Sequence, residues 1–328
     1  MNDLSKILAA SLGCLVCTSA AFALDVKRPE VRAFIEETSR DLGFERNQLE
    51  SLLAQAETKQ AILDAISRPA ERVVPWFEYR DRFLTEKRIL QGTDFWIEHG
   101  AALRRIPDPN VAASVVGILG VETSFGRITG RYRVIDALAT LAFDYPPRGD
   151  FFRSELQQFL LLSREEAVDP RTALGSSAGA MGAPQFISSS YRTYAIDGDG
   201  NGKRDLWNSW DDVIGSVANY LLAYGWREGE PVAVTATLDG DVSRFNTAKP
   251  ELNETVKSLR DKGVRFETSM PADAPALLIV AQGKDGPVYR VGFTNFYVLT
   301  RYNRSPMYAM AVHDLGEAVV NFMHDATR

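Results

Sequence analysis

This sequence predicts a mainly α (α+β) fold, a helical body interrupted once by a small α/β lobe. Apolar residues recur at helical spacing from about residue 25 to Gly225. After Tyr224-Gly225-Trp226 the period changes: PVAVTATL alternates like a strand, PELNETVKSLRDKG reads as a helix, and ALLIVAQGKDGPVYRVGF reads as a hairpin turning at Asp285-Gly286. The last segment, SPMYAMAVHDLGEAVVNFMHDA, returns to helical spacing and packs back on the main body. At 328 residues the chain can bury a sizeable core and hold two or three lobes.

The chain opens with MNDLSKILAASLGCLVCTSAAFALDV, a polar start with Lys6, an apolar run and a small-residue Ala21-Phe22-Ala23. That order predicts a secretory signal over 1–23, cleaved after Ala23. A retained anchor and lipidation at Cys14 stand as alternatives. The apolar run is short for a membrane span, and Ser11-Leu12-Gly13-Cys14 lacks an aliphatic residue three places before the cysteine. Cys14 and Cys17, the only cysteines, both lie in this segment, so the mature chain has no disulfide, cysteine-ligated zinc or thiol nucleophile. A net charge of −6 without a basic cluster offers nucleic acid no electrostatic footprint. His99, His313 and His324 show no metal-ligand spacing, which also argues against a histidine-based triad.

The N-terminal lobe, 24–105, is built from VRAFIEETSRDLGF, NQLESLLAQAE and the charged amphipathic stretch FLTEKRILQGTDFWIEHGAALRRI. The core, 106–228, follows. Asp108-Pro109 starts a helix over about Asn110–Ser124, and Gly126 stands just past its end. Val111, Val115, Ile118 and Glu122 fall on one stripe of this helix. No charged residue lies between Asn110 and Glu122, so the segment GILGVETSFG gives the carboxylate no local partner. Poor solvation and the negative end of the helix dipole raise its pKa, which makes it a proton donor near neutral pH. In the alternative reading, Arg127 or an arginine from elsewhere neutralises it and it is structural.

Further along the core, Gly175–Phe186 (GSSAGAMGAPQF) is a bare loop whose backbone can approach a flat ligand, with Ser176 and Gln185 as polar handles; tight packing between helices would demand the same residues. Asp197–Trp207 (DGDGNGKRDLW) matches the first half of an EF-hand calcium loop. Asp197, Asp199 and Asn201 supply hard oxygens, Lys203 its carbonyl, and Gly202 the turn. Asn208 stands where the closing glutamate belongs, leaving Asp211 or Asp212 to close the site, or the loop as a plain acidic turn. The small lobe spans 229–292, and the returning segment 293–328 begins near Arg301-Tyr-Asn-Arg-Ser-Pro-Met-Tyr308, whose tyrosines and asparagine suit either a sugar or the core.

Taken in order, GVETSFG, DALATLAFDYP, GSSAGAMGAPQF, the DGDGNG loop, GSVANY and FYVLTRYN resemble the lytic murein transglycosylases of the B type, from about Trp76 to Leu315. The resemblance implies a lysozyme-like helical core with structural calcium and no organic cofactor. It implies Glu122 as sole catalytic acid and base, with sugar contacts at Ser176, Gln185, Phe186, Tyr220, Tyr302, Asn303 and Tyr308, and a weaker one at Tyr79. Arg148 matches a position facing the peptide stem, where members carry two arginines and this chain has Pro147-Arg148. Calcium ligands fall on Asp197, Asp199, Asn201, Lys203 and Asp212. The implied protein is a periplasmic monomer, with outer-membrane association as a variant. Its substrate and partner is the peptidoglycan glycan strand, with cell-wall synthesis or remodelling proteins beside it.

In the implied reaction Glu122 protonates the oxygen linking N-acetylmuramic acid to N-acetylglucosamine. The muramic acetamido group, oriented by Ser176, stabilises C1, and Glu122 then deprotonates the sugar's own C6 hydroxyl, which closes a 1,6-anhydro ring. A hydrolytic muramidase would need a second carboxylate, for which Asp136 and Asp144 are nearest downstream. A non-catalytic glycan-binding scaffold is the rival of another class.

Overall fold

The computed structural model describes residues 21–67 and 74–326. Residues 1–20 of the expected leader lie outside the described residues; Ala21–Ala23, up to the expected cleavage point, form a short strand. The N-terminal lobe contains β1 (Ala21–Ala23), α1 (Pro29–Leu42), α2 (Arg46–Leu53), β2 (Glu57–Lys59), α3 (Gln60–Ser67), α4 (Trp76–Asp81), α5 (Glu86–Glu98) and α6 (Gly100–Leu103). The core contributes α7 (Pro109–Thr123), β3 (Tyr132–Arg133), α8 (Val134–Asp144), α9 (Gly149–Glu165), β4 (Leu174–Gly175), α10 (Ser188–Tyr194) and α11 (Trp210–Ala223).

In the small lobe, β5 (Ala233–Leu238), β6 (Glu254–Thr255), α12 (Val256–Asp261), β7 (Val264–Arg265), β8 (Pro275–Gln282) and β9 (Pro287–Gly292) form one antiparallel sheet with a helix. The sheet runs β6-β8-β9-β5-β7 and has its own apolar core around Val256, Leu259, Leu278, Val291 and Phe293. The β8–β9 hairpin turns over Gly283–Gly286, one residue before the Asp285-Gly286 centre expected: the Gly283 N–H donates to the Gly286 carbonyl, leaving Lys284 and Asp285 at the apex. Leaving β9, the chain forms α13 (Thr294–Tyr302) and α14 (Pro306–Ala326), which returns to the main core. An ion pair between Arg290 of β9 and Asp314 of α14 seats the lobe on the body.

At the centre is α7. Asp108 caps its first turn by accepting the Asn110 N–H, Pro109 supplies the fixed φ of the first turn, and every residue from Val111 to Gly120 is buried. Its neighbour α14 lies unusually close. A Cβ at Gly117 would stand 2.1 Å from the Val312 carbonyl oxygen, and one at Gly316 would stand 2.4 Å from that of Ala113. The two backbones touch only because both positions lack a side chain.

Three expectations need correction. The central helix ends where expected, with Ser124 as its cap, but the left-handed position is taken by Ser124 itself (φ 54°), followed by Phe125 (φ 59°) before Gly126. The helix read in PELNETVKSLRDKG shrinks to the six residues Val256–Asp261, because Glu254–Thr255 pairs with β8 and Thr255 with Ser258 forms a capping box. The long stretch ending in HGAALRRI divides at His99 into α5 and α6.

The contact between α7 and α14 yields a stability prediction. Alanine in place of glycine favours a helix by ~1 kcal/mol, yet at Gly117 the added methyl meets backbone that cannot rotate away. Gly117→Ala is therefore expected to destabilise the protein by about 2 kcal/mol or more net, measured by urea unfolding. An unchanged midpoint would show that the helices separate freely.

Candidate active site

Glu122 occupies the last turn of α7 and is half-buried. Its Oε1 accepts a 2.8 Å hydrogen bond from the Tyr308 hydroxyl, on the first turn of α14. No cationic side chain lies within ion-pair distance of it among the described residues, and the Arg127 guanidinium donates to the Ser124 carbonyl instead. The structural reading of Glu122 as half of an ion pair therefore fails. Desolvation raises its pKa to about 7, against the opposing effect of the Tyr308 hydrogen bond. Burial, and next the nearby Glu122 charge, push the phenols of Tyr302 and Tyr308 well up, so both remain protonated donors.

Two further contacts hold the end of α7. The Thr123 hydroxyl donates to the Ala183 carbonyl (2.9 Å) and accepts the Gly126 N–H (3.0 Å), tying the glycine-rich loop beside Glu122. Arg88, on α5, donates to the Gly120 carbonyl and lies over the Phe83 ring, capping the helix with positive charge where the dipole is negative. Sequence reasoning missed both residues. Thr123 sat in the open within GVETSFG as the polar neighbour of the glutamate, whereas nothing in the charged run around Arg88 marks its fold partner.

In the loop, Ser176 Oγ accepts the N–H groups of Ala178 (3.2 Å) and Ala180 (3.1 Å), leaving its own proton to donate. Gln185, in a left-handed backbone conformation, spends its amide N–H groups on the carbonyls of Thr129 (3.0 Å) and Gly182 (2.9 Å) and keeps its Oε1 as an acceptor. The Phe186 ring lies 5.6 Å from that of Tyr220 and 5.9 Å from that of Tyr302. Tyr302 donates to the Pro184 carbonyl (2.6 Å), and Tyr220 to that of Arg301 (2.8 Å). Phe186, Tyr220 and Tyr308 are buried, so much of their surface is spent on each other.

Tyr79, stacked on Trp76, is near enough for its phenol to raise that of Tyr308 further. Asn303 is exposed and accepts the Ser305 N–H (3.1 Å). Arg148, also exposed, lies over the Phe151 ring at 4.2 Å, and its contacts do not join it to the Glu122 group.

The two carboxylates nearest downstream are already engaged. Asp136 is buried, chelated by Arg133 and bonded to the Glu57 N–H, while Asp144 pairs with Arg28 at 2.7 Å. Neither is free to hold a water opposite Glu122.

At the calcium-like loop, carboxylate oxygens of Asp197, Asp199 and Asp212 lie within 4.8 Å of one another. Asp212 is fully buried and accepts the N–H groups of Gly198 (2.8 Å) and Asp205 (2.7 Å), whereas Asp211 turns outward to Arg105. Asn201 accepts the Lys203 N–H (3.0 Å). No cationic side chain neutralises the three acids among the described residues. Converging hard oxygens with one buried anion fit a divalent cation of calcium's preference.

Over residues 27–317 the chain matches the family described as the transglycosylase SLT domain. The membrane-bound lytic murein transglycosylase B of Escherichia coli strain K12 is 39% identical over 308 residues, spanning 89% of this chain and 82% of that protein. A solved soluble lytic transglycosylase, SltB1 from Pseudomonas aeruginosa, superposes with a TM-score of 0.87 at 48% identity, covering 90% of this chain and 100% of its own. The Escherichia coli lytic transglycosylase Slt35 in complex with calcium superposes with a TM-score of 0.84 at 38% identity, covering 92% and 96%.

The raised pKa of Glu122 has a thermodynamic consequence. The fold holds this proton more tightly than the unfolded chain, whose value is the ordinary 4.5. Its contribution to stability is therefore complete below about pH 4.5 and is lost as pH rises through about 7. Glu122→Gln removes the titration, so the variant should match wild type below pH 4.5 and exceed it above pH 8 by at most ~3 kcal/mol. Parallel stability curves for the two proteins would contradict the raised value.

Proposed function

Because the chain belongs to the SLT-type transglycosylase family, we propose that Glu122 carries both proton transfers of its reaction. The protein is a peptidoglycan lytic transglycosylase with a lysozyme-like helical core. It cleaves the bond from N-acetylmuramic acid to N-acetylglucosamine and leaves a 1,6-anhydro end. One observation carries the assignment to Glu122: it is a desolvated carboxyl with a pKa of about 7 that, among the described residues, is bonded only to a phenol, while Asp136 and Asp144 are locked in ion pairs.

With a pKa near 7 the carboxyl is partly protonated at neutral pH. It protonates the bridging oxygen as the C1–O bond breaks and is left as a carboxylate. The Tyr308 O–H steadies that anion. The muramic acetamido oxygen bonds C1 from the opposite side, oriented by the free hydroxyl proton of Ser176. The C6 hydroxyl then attacks C1 as the acetamido oxygen leaves, and Glu122 takes up the C6 proton. The acid is regenerated and no water is consumed. Gln185, Phe186, Tyr220, Tyr302, Asn303 and Tyr79 line the sugar path in this reading, and Arg148 meets the peptide stem.

Asp197, Asp199, Asn201, Asp212 and the Lys203 carbonyl would hold a calcium ion, whose chemistry here is to neutralise the converging acids and pin α11 to the loop. The relative solved with calcium supports this reading. The signal-like leader supports export to the periplasm. The membrane-bound relative supports outer-membrane association, although no helix among the described residues is long and apolar enough to cross a membrane. The divisions of the chain at 23, 105, 228 and 292 belong to this reading, as does action as a monomer.

Two experiments follow. Digestion of purified peptidoglycan in labelled water should release 1,6-anhydro ends without labelled oxygen, and Glu122→Gln should abolish turnover while glycan binding persists. Labelled reducing ends would establish hydrolysis instead. Separately, calcium at a hundredfold its Kd should stabilise the metal-stripped protein by about 2.7 kcal/mol, and Asp212→Asn should weaken that response. A melting temperature indifferent to calcium would reduce the loop to a turn.

A further inference from the structure

Thr123 is the last residue of α7, next to Glu122, and is 1% exposed. Its hydroxyl donates to the Ala183 carbonyl at 2.9 Å rather than back into its own helix, where the Leu119 carbonyl, 3.3 Å away, already accepts the Phe125 N–H. The same oxygen accepts the Gly126 N–H at 3.0 Å. Among the described residues, Thr123 is the only hydrogen-bond partner of the Ala183 carbonyl and of the Gly126 N–H. It also makes the only hydrogen bond from α7 to the loop Gly175–Phe186 among those residues.

That loop is bonded into one piece. The Ser176 N–H donates to the Ala180 carbonyl (2.8 Å), and Met181 and Phe186 exchange N–H···O bonds (2.8 and 3.1 Å), so Ala183 and Ser176 belong to the same unit. The carbonyl after Ala183, that of Pro184, accepts the Tyr302 hydroxyl (2.6 Å), and the residue after it, Gln185, is held at φ 54°. Two hydroxyls thus grip successive carbonyls where the backbone enters a conformation that costs a non-glycine residue energy. In the proposed reaction Glu122 acts on one side of C1 while the acetamido group, oriented by Ser176, bonds it from the other. An error of about an ångström between those two groups is enough to slow turnover. We infer that Thr123 is a positioning residue, whose hydroxyl fixes the register between the acid on α7 and the loop that carries Ser176. This rests on the proposed roles of Glu122 and Ser176 and deepens them.

Loss of register acts on the transition state more than on binding. Thr123→Val keeps the shape of the side chain and removes both donor and acceptor. It should lower kcat on purified glycan strands about tenfold or more with KM little changed, whereas Thr123→Ser keeps the hydroxyl and should stay within about threefold of wild type. In a double-mutant cycle, Ser176→Ala should slow wild type but add little to Thr123→Val, whose loop is already out of register. Co-sedimentation with strands in the Glu122→Gln background should show the same affinity with and without Thr123→Val. Urea unfolding gives the fraction folded, and rates are taken per folded molecule. Should Thr123→Val not fold, Thr123→Ala takes its place with the same expected loss of kcat and the same cycle.

A wild-type kcat without the hydroxyl would overturn the inference. So would an equal loss in Thr123→Ser, which would give the effect to the methyl group's packing, or losses that multiply in the cycle, which would make Thr123 and Ser176 independent. Failure of the underlying functional reading would be seen separately, as wild type releasing no anhydro ends or Glu122→Gln retaining turnover.

Discussion

The close crossing of α7 and α14 is the constraint on which the site depends. Glu122 is carried by the first helix and Tyr308 by the second, and their 2.8 Å hydrogen bond exists because backbone meets backbone at Gly117 and Gly316. The same closeness strips water from the carboxyl. One packing decision thus sets both the geometry and the protonation of the acid. Other elements secure it from outside: Arg88 caps the end of α7 from the N-terminal lobe, Thr123 ties it to the loop, and the Arg290–Asp314 pair holds the small lobe against α14.

Glu122 stands apart from other carboxylates in the structure, and its electrostatics follow from that. A second carboxylate facing Glu122 would hold its pKa up by repulsion and offer a base for water. Here burial alone raises it, and the neighbours are phenols that remain neutral at any physiological pH. Of these, Tyr308 donates a hydrogen bond to the carboxyl without competing for its proton. The acids close by in sequence have been turned to structural work, Asp136 in joining the N-terminal lobe to α8 and Asp144 in holding Arg28.

The acidic loop and the Glu122 group share an element, α11. Asp212, fully buried at the start of α11, anchors that helix to the acidic loop, and Tyr220 near its other end joins the aromatic row leading to Tyr302 and Tyr308. A cation that neutralised the acids would fix the helix, which carries Tyr220 to Tyr302. The cation would act on the reaction only through position.

By itself the sequence determined what local chemistry controls. An uncharged run around one glutamate announced a poorly solvated acid, Asp108-Pro109 announced the start of its helix, and Asp285-Gly286 announced the hairpin, because each signal lies within a few residues of its effect. The ordered motifs named the family for the same reason. Tertiary structure alone decided how partners distant in the chain divide the work. It gave Tyr308 to the carboxyl, chose Asp212 over Asp211 for the acidic loop, joined Asp136 to the Glu57 N–H and Asp144 to Arg28, and brought Arg88 to Gly120. Those pairings span up to 186 residues of chain, and no local pattern encodes them, since a hydrogen bond is specific only when packing has brought both groups to one place.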